Sequence, residues 1–290
     1  MLNPIQQEIG ADNIEAQIRA ALHTKLAIPV QPTKLETLTV NDHEEVDSIV
    51  VLIGDITGVI PAYNAGLDVY RGGAPEYMAL TPGEKRAVRN RLIQLLALPE
   101  LHVQVLQIEG NTVHLSRRSA MWHSRPTTLR RFGVSKITQL INRKAQGQVT
   151  VIEADGAWLD IGGYPAWLPR KEISYDNPIP ARVLHTGQVM TVQVTGLEDT
   201  DGTEETLLVS KVALLPDPWD NLDFEEGSIV RATVIGAFPN GYDYRVAFKS
   251  GLNGIARLQR NFSRPPRFAP VAVRIRKIDR KKKRIFGYIL

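Results

Sequence analysis

The sequence contains no cysteine among its 290 residues, which excludes disulfide bonds, thiolate zinc sites and cysteine nucleophiles. A chain without cysteine fits a reducing compartment, and we expect a cytoplasmic protein. No apolar run approaches the roughly 18 residues that a membrane-spanning helix needs. The first residues, Met1 to Gln7, lack the basic and apolar regions of a secretion signal. We therefore expect no contact with a membrane.

The sequence also has little that points to catalysis. Its paired glycines, at 72–73 and 162–163, lack the following Lys-Ser/Thr of a phosphate-binding loop. No nucleophile motif of serine, histidine and acid is present. The histidines show no metal-ligand spacing; they are His23, His43, His102, His114, His123 and His185. We therefore predict no enzymatic activity, no metal and no cofactor.

What the chain does have is an uneven distribution of charge. The net charge is only +4, but residues 222–290 hold fifteen Lys and Arg against five Asp and Glu. The stretch between Glu109 and Glu153 contains eight Lys and Arg and no acidic residue. Concentrated positive charge is typical of a surface that binds a polyanion. It can also serve only to keep a surface hydrated, and the sequence leaves that alternative open.

One pattern of short β-strands occurs three times. The third copy is the clearest, with β-branched or alternating runs at 229–235, 242–248, 251–256, 271–279 and 283–290. The second copy has corresponding runs at 148–152, 156–161, 166–169, 187–194 and 206–211. For the first copy we predict strands at 34–46, 48–53, 101–108 and 112–118, with a Gly-containing segment at 54–61. A repeated strand pattern predicts a tandem array of small β domains.

Two helices accompany the first copy. Residues 12–26 place apolar side chains on one face, Asp12 and Glu15 have the spacing of a capping box, and Pro29 and Pro32 are expected to end the helix. Such a helix has one apolar stripe and must dock on another surface.

A second helix is predicted to begin at Thr81, with Thr81 as N-cap, Pro82 in the first turn and Glu84 at the third position. It is inserted between the third and fourth strands of the first copy. We expect a shorter helix at 135–143.

The motifs of these copies resemble those of the S1 RNA-binding domain. The second copy agrees best, at Gly156-Ala157-Trp158-Leu159-Asp160-Ile161, Trp167-Leu168-Pro169-Arg170 and Val209-Ser210-Lys211. The first copy shows Gly58-Val59-Ile60-Pro61 and Val113-His114-Leu115-Ser116-Arg117-Arg118, and the third shows Tyr242, Val246, Gly251 and Gly254-Ile255-Ala256. Each motif alone is weak, but three in order are fairly specific. Residues 35–290 thus resemble tandem S1 domain proteins, the family of bacterial ribosomal protein S1.

The resemblance implies a mostly β chain of three tandem five-stranded OB-fold barrels, with an N-terminal helix and a helical insertion in the first barrel. The implied domains are an N-terminal helical extension (1–34), a degenerate barrel (35–118), a basic connector (119–144), a second barrel (145–215) and a basic third barrel (222–290).

The resemblance also implies how such barrels bind RNA. Bases of a single strand stack on aromatic rings of the second and third strands, while Lys and Arg at the edge contact phosphates. Trp158 occupies one of two aromatic positions in the second copy, and Asp155 stands at the other. Tyr242 occupies one position in the third copy, and Arg245 stands at the other. The first copy has Val50 and no aromatic residue there, so we interpret it as a structural or docking barrel.

Strand alternation bears on both aromatic residues. Trp158 lies opposite in parity to Leu159 and Ile161, which favours the surface. Tyr242 shares its parity with core-type residues, so core packing competes with stacking. The residues we expect at phosphates are basic, and they are Arg130, Arg131, Lys211, Arg245, Arg257, Arg274, Arg276, Lys282 and Arg284.

We therefore predict non-catalytic binding of single-stranded RNA, with a role in translation or mRNA handling implied by the resemblance alone. Single-stranded DNA is an alternative partner, because it offers the same phosphates and bases. A different hypothesis is a structural or docking component of a ribosome-, polymerase- or phage-particle-associated assembly. Its protein partners, or a second copy of the chain, would then contact the N-terminal helix and the first barrel.

Overall fold

The computed structural model describes residues 11–40, 44–200, 204–248, 251–259 and 263–290. It contains three closed barrels of five strands each. In every barrel the strands follow the same cyclic order, with the first strand pairing with the second and fourth, and the third pairing in parallel with the fifth. This is the five-stranded Greek-key closure of an OB fold. The predicted fold class is confirmed.

The first barrel begins earlier than the sequence suggested. Its strands are β1 (Ile28–Val40), β2 (Glu44–Ile53), β3 (Ile56–Pro61), β4 (Leu101–Glu109) and β5 (Thr112–Ser116). The prediction that Pro29 and Pro32 end the preceding helix is wrong, because both prolines lie in β1. The pairing of β1 with β2 shifts register between Pro32 and Lys34, which is how a strand accommodates a residue without an N–H group.

Three helices surround this barrel. The first, α1 (Ala11–Thr24), buries Ile18 and Ala21 against the barrel core, and it contains Asp12, the residue predicted to cap it. Between β3 and β4 lie α2 (Ala74–Met78) and α3 (Pro82–Leu95). Thr81 and Glu84 form the predicted capping box, with the Glu84 amide donating to Thr81 Oγ1 at 3.3 Å and the Thr81 amide donating to Glu84 Oε2 at 2.9 Å.

The segment 119–144, predicted as a connector, is largely helical. Helix α4 (Arg117–Arg131) starts after Ser116, whose hydroxyl accepts from the Ser119 amide at 3.0 Å. Pro126 inside the helix and a low apolar content hid this helix in the sequence. The short helix predicted at 135–143 is a single 3₁₀ turn, Ile137–Leu140.

The second and third barrels match the predicted strand runs closely. The second contains β6 (Lys144–Ile152), β7 (Gly156–Ile161), β8 (Tyr164–Pro169), β9 (Val189–Thr200) and β10 (Glu204–Ser210), with α5 (Pro180–Val183) before β9. The third contains β11 (Ile229–Ala237), β12 (Asp243–Phe248), β13 (Asn253–Leu258), β14 (Pro270–Asp279) and β15 (Arg284–Ile289). The predicted turn at 249–250, and positions 41–43 of the predicted first strand, lie outside the described residues.

The chain divides into two compact units. The first comprises Met1–Pro169 with Ile179–Ser210, and thus holds the first two barrels. The second comprises Lys211–Leu290 and the segment Arg170–Pro178. This segment lies between β8 and β9 in sequence but packs with the third barrel. Tyr175 from this segment lies directly against Gly251, where an added Cβ would come within 2.3 Å of the tyrosine side chain. Gly251 also has a φ of +77°, which favours glycine.

Candidate nucleic-acid interface

The outer surface of the third barrel carries a row of charged and aromatic side chains. Successive residues of a strand point to opposite faces, so Val246, Ala256 and Ile289 fill the core while their neighbours point outward. The strand register aligns four outward residues across neighbouring strands, in the order Asp243, Arg257, Tyr288 and Arg274. A tyrosine therefore stands between two arginines, each one strand spacing of about 4.8 Å away.

Hydrogen bonds fix this row in place. Arg257 donates from Nε and Nη2 to the Asp243 carboxylate at 2.8 and 3.1 Å. The bond from Arg257 lowers the pKa of Asp243, so the carboxylate stays ionised over a wider pH range. Arg276 Nη1 donates to the Tyr288 hydroxyl at 3.4 Å, and its guanidinium lies 6.0 Å from the tyrosine ring centroid. With Arg276 beside the row, three arginines against one aspartate leave this part of the surface positive.

A groove of about 530 Å³ adjoins the row. Arg245 lines it from β12 and Arg284 from the start of β15, with Ile255 at its floor. The Arg245 guanidinium lies 5.1 Å from the ring centroid of Phe238, which also lines the groove. We call the surface formed by Phe238, Arg245, Arg257, Arg274, Arg276 and Tyr288 the basic aromatic face.

Tyr242 lies on the turn that precedes β12. It is 57% exposed, whereas Tyr244, Val246 and Phe248 are buried in the core. Its amide donates to Asn240 Oδ1 at 3.1 Å, and its carbonyl accepts from the Leu258 amide at 2.8 Å. Tyr242 has the same sequence parity as these buried residues, but it lies before the start of β12 and faces solvent.

The turn between β14 and β15 carries the predicted Lys282 and Arg284, both exposed. Between them, Lys283 forms a 2.5 Å ion pair with Asp217. This bond raises the pKa of Lys283 and lowers the pKa of Asp217. Part of the positive charge of the turn is therefore neutralised within the protein.

Trp158, the predicted stacking residue of the second barrel, is only partly exposed. Its ring centroid lies 5.0 Å from that of Trp167, its register partner on β8. The guanidinium of Arg71, from the first barrel, lies 5.2 Å from the same ring and donates to Thr206 Oγ1 at 2.6 Å. Trp158 packs against the core cluster of the first barrel, and its buried Nε1 has no hydrogen-bond partner among the described groups.

Further contacts join the first two barrels around Trp158. The Gln94 side chain donates to the Ile152 carbonyl at 3.1 Å and accepts from the Ile152 amide at 2.7 Å. It thus satisfies both backbone groups of Ile152, as the backbone of a neighbouring strand would. Arg91 forms an ion pair with Glu153 at 2.8 Å. The aromatic position of the second barrel therefore lies within the joint between the two barrels.

A buried charged cluster supports the same joint. Arg117 donates to the two carboxylate oxygens of Asp68 at 2.6 and 3.0 Å, and to the Ala65 carbonyl at 2.9 Å. Its Nη2 lies 3.6 Å from Asp160 Oδ2 of the second barrel. Burial alone would lower the pKa of Arg117, but Asp68 and Asp160 raise it above its ordinary value. Burial raises the pKa of Asp160, and Arg117 opposes that shift.

Helix α4 docks onto the turn between β7 and β8. Arg125 Nε donates to the Gly163 carbonyl at 3.0 Å, and Thr128 Oγ1 donates to the Gly162 carbonyl at 2.7 Å. Gly163 has a φ of +92°, and an added Cβ would lie 2.1 Å from the Met121 carbonyl oxygen. Only glycine allows the helix to approach this closely.

The remaining predicted residues are dispersed. Lys211 follows β10 and is partly buried, while Arg130 and Arg131 are exposed in the last turn of α4. Sequence reasoning missed Phe238 and Tyr288. The alternation of Tyr288 with the buried Ile289 could have revealed it as an outward residue, but Phe238 lies after β11, where no alternation applies.

Within the described part of the chain, no group of three or more His, Cys, Asp or Glu side chains could hold a metal ion. No helix there is long and apolar enough to cross a membrane.

Comparison with known proteins agrees with the motifs of the second barrel. Residues 141–203, which contain β6 to β9, match the S1 RNA binding domain family. The second barrel is therefore an S1 domain, and the chain carries an RNA-binding domain. No curated protein matches the sequence. One similar solved structure is a multidomain protein with nucleic acid binding domains from Streptococcus pneumoniae, 10% identical over 92% of this chain and 74% of that one. Its TM-score is 0.22.

Proposed function

We propose that the protein binds single-stranded RNA without catalysis, and that the basic aromatic face of the third barrel is its main contact surface. The observation that carries this proposal is the alignment of Tyr288 between Arg257 and Arg274 on the barrel surface. A ring flanked by guanidinium groups can hold a base and the adjoining phosphates at once. The exposed Tyr242 offers a further ring for stacking.

The S1 domain has a different role in the proposed RNA binding. Because Arg71 and the first barrel cover much of Trp158, we assign this tryptophan to the joint between the first two barrels rather than to base stacking. The S1 domain would then contribute its other surfaces, with Lys211 as a peripheral phosphate contact. Lys282 and Arg284 would extend the phosphate path at the groove of the third barrel.

Such a surface should discriminate weakly among sequences, since ring stacking and phosphate contacts carry little information about base identity. Discrimination between RNA and DNA requires a contact to the 2′-hydroxyl. A role in translation or mRNA handling is part of the proposal only through the likeness of the motifs to tandem S1 proteins.

The test is fluorescence anisotropy of a labelled 20-nucleotide uridine-rich RNA with the full chain, over a salt series. We expect Arg274→Glu with Arg276→Glu to weaken binding and to reduce the slope of log K against log salt by about 0.7 for each phosphate that is no longer neutralised. The matched control is Arg86→Glu, an exposed arginine of α3 in the first barrel, which should leave affinity and slope nearly unchanged.

The aromatic contribution is tested separately. Tyr288→Leu should weaken binding by about 5- to 150-fold, the equivalent of one stacked base, while Tyr288→Phe should retain most of the affinity. The same oligonucleotide as DNA measures the contribution of the 2′-hydroxyl. Equal affinity of all variants for RNA would contradict the proposed surface.

One observation favours a second function, docking within a larger assembly. The first barrel already uses its outer surface to cover the aromatic position of an S1 domain, so these barrels form protein–protein contacts. If the wild-type chain binds no RNA at low salt, the docking function becomes the better explanation.

A further inference from the structure

A second aromatic surface lies on α4, a helix that packs outside the barrel strands. Trp122 is 41% exposed, and it projects away from the side of the helix that buries Ala120, Met121 and Thr128. Large aromatic side chains normally bury most of their surface. An exposed tryptophan outside the core therefore requires a reason of its own.

The ring of Trp122 packs against the guanidinium of a buried arginine. The Arg125 guanidinium lies 3.6 Å from the Trp122 ring centroid and 4.9 Å from that of Tyr164. Arg125 is itself fixed, with 4% exposure and its Nε donating to the Gly163 carbonyl. One part of the indole is thus supported by protein while the rest faces solvent. A ring that is already immobilised loses little conformational entropy when a ligand stacks on it.

The surroundings of Trp122 are basic. Pro126 and Arg130 follow it at intervals of four residues and lie on the same side of the helix, both exposed. Arg131 is also exposed in the last helical turn, but it lies on the opposite side of the helix, with Thr127 and Thr128. The sequence from 110 to 152 contains no Asp or Glu. This charge favours a polyanion over a neutral or basic partner.

We propose that the outer side of α4 is a second binding site for single-stranded RNA, in which Trp122 stacks a base while Arg130 contacts a phosphate. The identity of the ligand rests on the proposed function, but the site lies in the other compact unit and uses a helix rather than a barrel face. Stacking on tryptophan accepts any base, because every base has a π-face. The helix spaces Trp122 and Arg130 about 12 Å apart along its axis, enough for a short run of nucleotides.

The experiment starts from the full chain with Arg274→Glu and Arg276→Glu, so that the third barrel is weakened and residual RNA binding reports on α4. Either Trp122→Leu or Trp122→Phe is then added to this double variant. Leucine still covers Arg125 but lacks a π-face, whereas phenylalanine keeps one. Anisotropy with the labelled RNA is measured beside photo-crosslinking of 4-thiouridine RNA, mapped by mass spectrometry. We expect Trp122→Leu to weaken residual binding by about 5- to 150-fold, Trp122→Phe to restore most of it, and a crosslink in α4.

Three results would overturn the site. The first is wild-type RNA binding with no residual binding after the two third-barrel substitutions. The second is residual binding that Trp122→Leu leaves unchanged, with no crosslink in α4, which would point to a protein ligand for this surface. The third is loss of binding in both Trp122→Leu and Trp122→Phe with normal folding and no crosslink, which would make Trp122 only a cover for Arg125. Absence of all RNA binding by the wild-type chain would instead defeat the proposed function and this site together.

Discussion

At the scale of single residues, the buried ion pair of Arg117 with Asp68 has a direct consequence for stability. Both side chains are almost fully buried, and a buried charge without its partner is costly. Arg117 belongs to the motif at 113–118, but Asp68 belongs to no recognisable motif. The pair forms because the segment after β3, which carries Asp68, lies beside the junction of β5 and α4, which carries Arg117. No local sequence pattern predicts this contact.

Asp68→Asn should therefore lower the free energy of unfolding of the first unit by up to about 3–5 kcal/mol, since Arg117 would remain buried without its nearer carboxylate and with only the more distant Asp160 to balance its charge. Chemical denaturation followed by circular dichroism measures this. The control is Arg19→Ala, which removes an exposed pair with Glu15 and should cost less than about 1 kcal/mol. A loss of stability for Asp68→Asn no larger than that of the control would contradict the buried pair.

The limits of sequence reasoning are also clearest among residues. Arg257, Arg274 and Arg276 are exposed beside buried residues of their own strands, a pattern that depends only on the local chain. The surroundings of Trp158 do not depend on the local chain alone, because Arg71 reaches it from another barrel. Alternation correctly excluded Trp158 from the core of its own barrel but could not show that a neighbouring barrel covers it.

Among elements, the strands were predictable and α4 was not. Barrel strands alternate in and out over several residues, and their turn glycines mark the ends. Helix α4 is rich in arginine and contains Pro126, and its buried side includes Arg117, Arg125 and Thr128. Its apolar periodicity is therefore weak. By contrast, the start of α3 was predictable from Thr81, Pro82 and Glu84, and the capping box was found as predicted.

The capping box gives a prediction for α3. Thr81→Ala should lower stability by about 1 kcal/mol, the usual value of an N-cap side chain, measured by thermal denaturation. The hydrogen bonds from Thr81 hold the pKa of Glu84 below its ordinary value, and in the variant this pKa should rise toward normal, as nuclear magnetic resonance titration would show.

The sign of the pH effect follows from that lowered pKa. The contribution of Glu84 is present above the ordinary carboxyl pKa and is lost as the pH falls through the lowered value in the folded state. Thr81→Ser, which keeps the hydroxyl, should preserve this dependence. An unchanged Glu84 pKa in Thr81→Ala would show that the reciprocal bonds do not set it.

At the scale of the whole molecule, the first two barrels should behave as one cooperative body. They share the Gln94 contacts with Ile152, the Arg117 cluster and the docking of α4. We expect their slowest-exchanging amides to open with one common free energy in native-state hydrogen exchange, and the third barrel to open separately. Second-barrel amides that exchange independently of the first barrel would contradict this, whatever the RNA experiments show.

The segment Arg170–Pro178 has a consequence for how the protein is made. A ribosome delivers the second barrel before the third, so this stretch, tethered at both ends by β8 and β9, is complete before β11 emerges. Tyr175 is therefore synthesised before Gly251, the residue of the third barrel that it contacts, and it forms part of the surface on which that barrel packs. A C-terminal fragment beginning at Lys211 would lack that surface. We expect the fragment to fold less efficiently after synthesis than the same residues do in the intact chain.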